Sequence, residues 1–152
     1  MTTIATTRDL DFAEIEAMLQ SHRYGRLAFT FRDRVDIEPI HYVYDAGWLY
    51  GRTSPGTKLT VLAHHPWVAF EIDEVNGPYD WRSGVVKGTV YFVEADGGEV
   101  DKEAHARTVA ALRRFMPDLL TERDPFPERA VLFRVHIDEM HGRASSSGGR
   151  RA

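Results

Sequence analysis

Between Leu49 and Leu59 the chain reads Leu-Tyr-Gly-Arg-Thr-Ser-Pro-Gly-Thr-Lys-Leu, a strand end, a Pro-Gly turn and a helix start crowded with hydroxyls and cations. Thr53, Ser54 and Thr57 offer hydroxyls, the helix start after Gly56 offers free backbone N–H groups, and Arg52 and Lys58 supply charge. That set suits a phosphate. It is not an ATPase loop: Gly51 and Gly56 have the right interval, but Thr57 precedes Lys58 where Gly-Lys is required, and Leu59 replaces the magnesium-binding hydroxyl. A capped turn with solvated charges competes with the phosphate reading, because helix starts favour Ser, Thr and Gly in any case.

His41, in Pro39-Ile-His-Tyr-Val-Tyr44, lies on a strand just before this loop. Imidazole is the side chain that ordinarily titrates near neutral pH, so His41 is a candidate proton donor, although a lone strand histidine is more often structural. His64 and His65 are adjacent at a helix end and their side chains diverge, and no His-Glu-x-x-His pattern or spaced carboxylate set points to a metal. Gly-x-Ser-x-Gly and Gly-x-Gly-x-x-Gly are also missing, which removes the hydrolase and Rossmann readings. In Trp81-Arg-Ser-Gly-Val-Val-Lys-Gly88, alternation puts Trp81, Ser83 and Val85 on one face of a strand, where a flat ligand could meet ring and hydroxyl together; core packing explains the same residues.

The elements that must position these groups follow from periodicity. Asp11 to Glu14 forms a capping box, and Phe12, Ile15, Met18 and Leu19 recur at helical spacing to about His22. Tyr24–Phe31, Val35–Tyr44, Trp48–Gly51, Val68–Ile72, Trp81–Glu94 and Arg129–Glu139 read as six strands, with Pro39 marking a bulge or an edge. Thr57–His65 and the segment from Val100 to Met116 read as helices. Hairpin-length links imply antiparallel pairing, and six such strands with flanking helices are best satisfied by a closed or nearly closed barrel. The expected class is therefore mainly β with flanking helices (α+β), with one domain over residues 1–141 and a flexible polar tail over 142–152.

Composition bounds the partners. The 152 residues carry 19 Lys+Arg against 23 Asp+Glu, a net charge of −4, so no global basic field calls for nucleic acid. No apolar run approaches the roughly 18 residues that span a bilayer, and the absence of cysteine removes disulfides, thiol chemistry and Cys-based metal sites. The expectation is a cytoplasmic protein with no membrane or metal association.

Taken in order, Gly25-Arg-Leu-Ala-Phe29, His41-Tyr-Val-Tyr-Asp45, the Leu49–Leu59 loop, Pro66-Trp-Val-Ala-Phe-Glu71 and Trp81–Gly88 resemble the pyridoxamine 5′-phosphate oxidase-like, FMN-binding split barrels, and within them the nitroimidazole-resistance-type flavoproteins. The resemblance covers about residues 10–140. It implies a six-stranded antiparallel split β-barrel and a homodimer holding FMN between subunits. Arg52, Thr53, Ser54, Thr57 and Lys58 would hold the phosphate. Pro39, His41, Tyr42 and Val43 would run beside the flavin ring, and Trp81, Ser83 and Val85 would line the groove from the opposite subunit. It further implies an oxidoreductase that passes electrons from a reduced nicotinamide through flavin to a small planar acceptor, a nitroaromatic or quinone. Two acids in Val35-Asp-Ile-Glu-Pro39 and Gly84 between Ser83 and Val85 depart from the pattern, and the basic strand motif and C-terminal segment of true pyridoxamine phosphate oxidases are missing, so vitamin B6 synthesis is not expected. The alternatives are a deazaflavin-coenzyme reductase on the same fold, which the 16 Arg against 3 Lys permit, and a non-enzymatic flavin or haem carrier with His41 or His136 as axial ligand.

Overall fold

A computed structural model describes residues 3–150, with the backbone alone at residues 3, 57, 58 and 148–150. Eight strands and three helices follow one another as β1 (Thr3–Asp9), α1 (Phe12–Ser21), β2 (Tyr24–Phe31), β3 (Arg34–His41), β4 (Val43–Asp45), β5 (Trp48–Thr53), α2 (Thr57–His64), β6 (Trp67–Gly77), β7 (Asp80–Val93), α3 (Glu99–Arg113) and β8 (Val131–Arg150). The Asp11 capping box is present, its carboxylate accepting from the Glu14 N–H at 2.8 Å while the Glu14 side chain accepts from the Asp11 N–H at 3.2 Å. Two of the tight hairpin turns use left-handed backbone, Arg32 and Asp33 in one and Ala46 and Gly47 in the other, which matches the right-handed twist of the flanking strands; the β6–β7 turn at Pro78-Tyr79 does not.

All pairings are antiparallel, in the order β3-β2-β6-β7-β8-β5-β4, with β1 added to β8. The two ends of this order are consecutive pieces of one run. Among the described residues β3 pairs with β2 alone and β4 with β5 alone, and the run divides at Tyr42, whose N–H donates to the Arg23 carbonyl at 2.9 Å. The sheet therefore curls round without closing, and Pro39 lies on a sheet-end strand as its missing N–H requires.

Alternation then sorts the side chains into two cores. Leu27, Phe29, Tyr42, Tyr44, Leu49, Phe70, Ile72, Val86, Val90, Phe133 and Val135 fill the interior of the curl, with Ile15, Met18 and Leu19 of α1 and Leu62 of α2 packed in. Residues of opposite parity, Val43, Tyr50, Val93 and Leu132, lie under Ala104, Ala111 and Leu112 of α3 on the outside. Gly88 marks a shift in the β7–β8 register, and a Cβ there would lie 2.3 Å from the His136 carbonyl oxygen, so only glycine allows the two backbones to approach this closely.

Two expectations need correction. The strands number eight rather than six, because the run expected over Val35–Tyr44 is split in two and Thr3–Asp9, which was not among the expected strands, pairs as β1. Residues 142–150 are not a tail: they continue β8, with Arg143, Ala144 and Ser145 bonded to β7 on one edge and β1 on the other. Ladder pairing on both edges outweighs the weak strand propensity of Ser and Gly. Residues 151 and 152 lie outside the described ones.

Candidate functional site

β5 ends at Thr53, and the chain turns through Ser54-Pro55-Gly56 into α2. Gly56 is the N-cap of that helix, and among the described residues no side chain caps it and a Cβ added there would meet nothing within 4 Å. The Leu59 N–H donates to the Gly56 carbonyl at 3.1 Å, and the helix start lies beside the half-buried Thr53 and the exposed Ser54. Thr57 and Lys58 occupy the first helical positions, and their side chains lie outside the described residues.

This turn borders a cavity of about 830 Å³, within the range of small-molecule sites. Its floor is apolar, from Phe29, Phe31, Leu62, Val90, Phe92 and Phe133, and its rim carries Pro39 and His41 of β3, Arg52 to Gly56, and much of the segment 115–129. The His41 ring packs between Tyr24 and Phe115, with ring centroids 5.2 and 5.7 Å away. Its position is set by strand alternation, which exposes His41 while burying its neighbour Tyr42.

Arg52 does not present a free guanidinium. It forms a two-pronged pair with Asp124, at 2.6 and 3.1 Å, and both side chains are almost wholly buried. Asp124 also accepts from the backbone N–H groups of Leu120 and Phe126, at 2.8 and 3.0 Å. The Arg52 hydrogen bonds, joined by these two amides, hold the Asp124 carboxyl well below the usual carboxylate range against the opposing effect of burial. Arg52 therefore ties the segment after α3 to the phosphate-type turn. Asp124, Phe115, Phe126 and Arg129 were not legible as site residues; the Asp124-Pro125 dipeptide signals a turn, but not its partner 72 residues away.

The remaining expected residues fall elsewhere. Tyr42 and Val43 are buried, Tyr42 in the interior core with its hydroxyl donating to the Leu19 carbonyl at 2.8 Å and Val43 under α3, so only their backbones could serve a ligand. Trp81, Ser83 and Val85 share one face as expected, but do not reach the cavity within one chain. They lie on the outer face of the sheet, where cross-strand register runs Pro39-Arg26-Glu71-Val85 and, one row on, His41-Tyr24 and Asp73-Ser83. Trp81 also borders a smaller polar groove of about 450 Å³ with Arg8, Arg82 and Ser145.

On that outer face Arg26 lies 3.4 Å from Glu71 and 3.6 Å from Asp73. Burial, then the hydrogen bond and charge of Asp73, raise the Glu71 carboxyl to about 7 despite Arg26. His136, the other candidate haem ligand, does not line the cavity. Its Nδ1 lies 2.8 Å from Asp138 and its ring packs edge-on to Trp48 at 5.1 Å. Among the described residues no group of three or more His, Asp or Glu is placed to hold a metal, and no helix is long and apolar enough to cross a membrane.

No curated protein sequence matches the chain. It is similar to the structure of an FAD-binding protein from Mesorhizobium loti, at 25% identity and a TM-score of 0.71 over 93% of this chain and 99% of that one. A putative 5-nitroimidazole antibiotic resistance protein from Bacteroides thetaiotaomicron shares the fold at 20% identity and a TM-score of 0.68, over 93% and 89% of the two chains. So does a haem storage protein from Vibrio cholerae, at 15% identity and 0.66, over 85% and 92%. The family model described as pyridoxamine 5′-phosphate oxidase matches residues 11–144, which span the phosphate-type turn, the cavity and both cores. The chain belongs to the pyridoxamine 5′-phosphate oxidase family.

Proposed function

We propose that the chain is an FMN-binding flavoprotein that works as an oxidoreductase, taking electrons from a reduced nicotinamide and passing them to a small planar acceptor, a nitroaromatic or a quinone. The observation that carries this reading is the joining of an uncapped α2 start and the Thr53 and Ser54 hydroxyls to an apolar cavity of about 830 Å³. A phosphate needs the first part and a planar ring the second, so the residues present fit the cofactor.

Bound flavin would supply the electron transfer. The protein supplies the rest. Thr53, Ser54, Thr57, Lys58 and the α2 amides hold the phosphate, with Arg52 acting through Asp124 to fix the turn rather than as a direct ligand. The backbone from Pro39 to Val43 is offered to the polar edge of the ring, and His41 at the rim is placed to hold or give a proton. Trp81, Ser83 and Val85 complete the groove from a second subunit. The uncovered outer face of β3, β2, β6 and β7, with Val35 82% and Trp67 68% exposed, supports a homodimer built on it. Reduced nicotinamide as donor agrees with a cytoplasmic setting.

An absorbance spectrum from 300 to 700 nm, before and after adding FMN and removing the excess, tests this. Flavin bands near about 370 and 450 nm are expected to persist, to weaken in Lys58→Ala, and to remain in His41→Ala while its turnover with nicotinamide and a quinone falls. A colourless protein that rejects FMN would refute the flavin reading.

A further inference from the structure

Beside the strip covered by α3, the outer face of β7, β8 and β5 gathers several rings around one guanidinium. Ladder register sets the group. Arg134 of β8 lies between Tyr91 of β7 and Tyr50 of β5, and the next row places His136 between Thr89 and Trp48. Alternation turns these side chains outward, away from Phe133 and Val135 in the interior core. Trp48, Tyr91, Arg134 and His136 are all absent from the lining of the large cavity.

The Arg134 guanidinium stacks on the Trp48 ring at 4.0 Å from its centre, and the Tyr91 and His136 rings meet Trp48 edge-on at 6.1 and 5.1 Å. Burial raises the Tyr50 hydroxyl above its ordinary value against the charges of Arg134, Arg107 and Arg114. Two of these three cations are matched by carboxylates, Arg107 by Glu103 at 2.8 Å and Arg114 by Asp45 at 3.4 Å. Among the described residues Arg134 has no such partner, and its Nε is buried without a hydrogen-bond acceptor. Stacking on indole offsets part of the cost of a half-buried, unmatched guanidinium; an anion on its remaining donors supplies the rest.

His136 is oriented beside it. Its Nδ1 lies 2.8 Å from Asp138 Oδ1, and Asp138 Oδ2 accepts from the Thr89 hydroxyl at 2.8 Å. The His136 bond, then that of Thr89, holds the Asp138 carboxyl below its usual range, so it is an ionised acceptor. Nδ1 therefore carries a proton, and Nε2 remains for a ligand.

We propose that Arg134, His136, Trp48 and Tyr91 form a binding site for a small aromatic carboxylate, separate from the cavity. The guanidinium receives the carboxylate in its planar fork, Trp48 and Tyr91 flank the ring, and His136 Nε2 takes a hydroxyl on it. A carboxylate suits the site better than a phosphate dianion because a single unmatched cation, partly withdrawn from water, has to balance it.

The test follows the Trp48 indole N–H in proton–nitrogen NMR spectra of the full chain, assigned by its loss in Trp48→Phe, during titration with meta-hydroxybenzoate, benzoate and inorganic phosphate. Both benzoates are expected to shift it saturably, the hydroxylated one at lower concentration, with phosphate several-fold weaker. Loss of the charged fork in Arg134→Gln should weaken benzoate binding by about tenfold or more. Tyr91→Ala should weaken it by roughly threefold or more, while Arg107→Gln, which removes a cation already matched, should leave it unchanged. Tyr91 is 49% exposed, so its replacement leaves the cores intact and keeps the test decisive if Arg134→Gln fails to fold. An unmoved Trp48 indole, or parent-like binding in Arg134→Gln or Tyr91→Ala, overturns the site. Phosphate binding as tight as benzoate overturns the aromatic preference, and displacement of benzoate by FMN overturns its separation from the cavity.

Discussion

Glu71 shows how much a side chain's chemistry depends on its cross-strand neighbours. Its family-like motif marks it as a strand residue, yet it faces Asp73 on its own strand, Arg26 on β2 and Val85 on β7, with Lys87 two residues further along β7. Its carboxyl is held near 7, above its ordinary 4.5, so between these values the folded chain binds more protons than the unfolded one. The stability this adds is complete below about 4.5 and is lost as pH rises through about 7. Glu71→Gln should flatten this fall, as read by denaturant unfolding at a series of pH values; a profile identical to the parent's would remove the assignment. Asp124 works in the opposite sense. Its lowered carboxyl contributes above its ordinary value of 3.8 and loses that contribution as acid protonates it.

At the scale of elements, the segment between α3 and β8 has little regular structure and depends on a few polar bonds. Asp124 gathers Arg52, Leu120 and Phe126, and Arg113 donates to the Leu119 carbonyl at 3.1 Å. Asp124→Asn leaves a buried guanidinium without its counter-charge, so the thermal midpoint should drop by several degrees and proteolysis within 118–128 should quicken. Parent-like melting and cleavage would show that Asp124 is not the anchor. The α1 capping box depends less on distant partners; Asp11→Ala should cost about 1 kcal/mol in denaturant unfolding. The same contrast explains what the sequence discloses. Caps, hairpin turns and the alternation of β2 and β7 depend on near neighbours and can be read directly. The Arg52–Asp124 pair joins residues 72 apart, and the Ser- and Gly-rich end of β8 is a strand only because β1 and β7 flank it. The phosphate-type turn was legible because its chemistry is contiguous, whereas the rest of the cavity lining comes from distant sequence.

For the whole molecule, the uneven covering of the sheet is the governing fact. α3 covers the outside of β4 and β5, while the outside of β3, β2 and β6 leaves Val35, Ile37, Trp67 and Val75 exposed around the Arg26, Glu71 and Asp73 group. A second copy covering this face would bring Trp81, Ser83 and Val85 into a shared interface. Light scattering should therefore give about twice 17.3 kDa for the parent, and near 17.3 kDa for Ile37→Arg with unchanged far-UV circular dichroism. A monomeric parent at tens of micromolar would refute this arrangement. The division of one run at Tyr42 has a consequence for the kinds of sequence change the fold can absorb. Because odd residues face outward and even ones inward on both sides of Tyr42, adding or deleting a single residue between Pro39 and Tyr44 would turn one half over, exposing Tyr44 or driving His41 inward. Length variation is thus confined to the hairpin tips at Arg32-Asp33 and Ala46-Gly47, whereas the seam itself admits substitution alone.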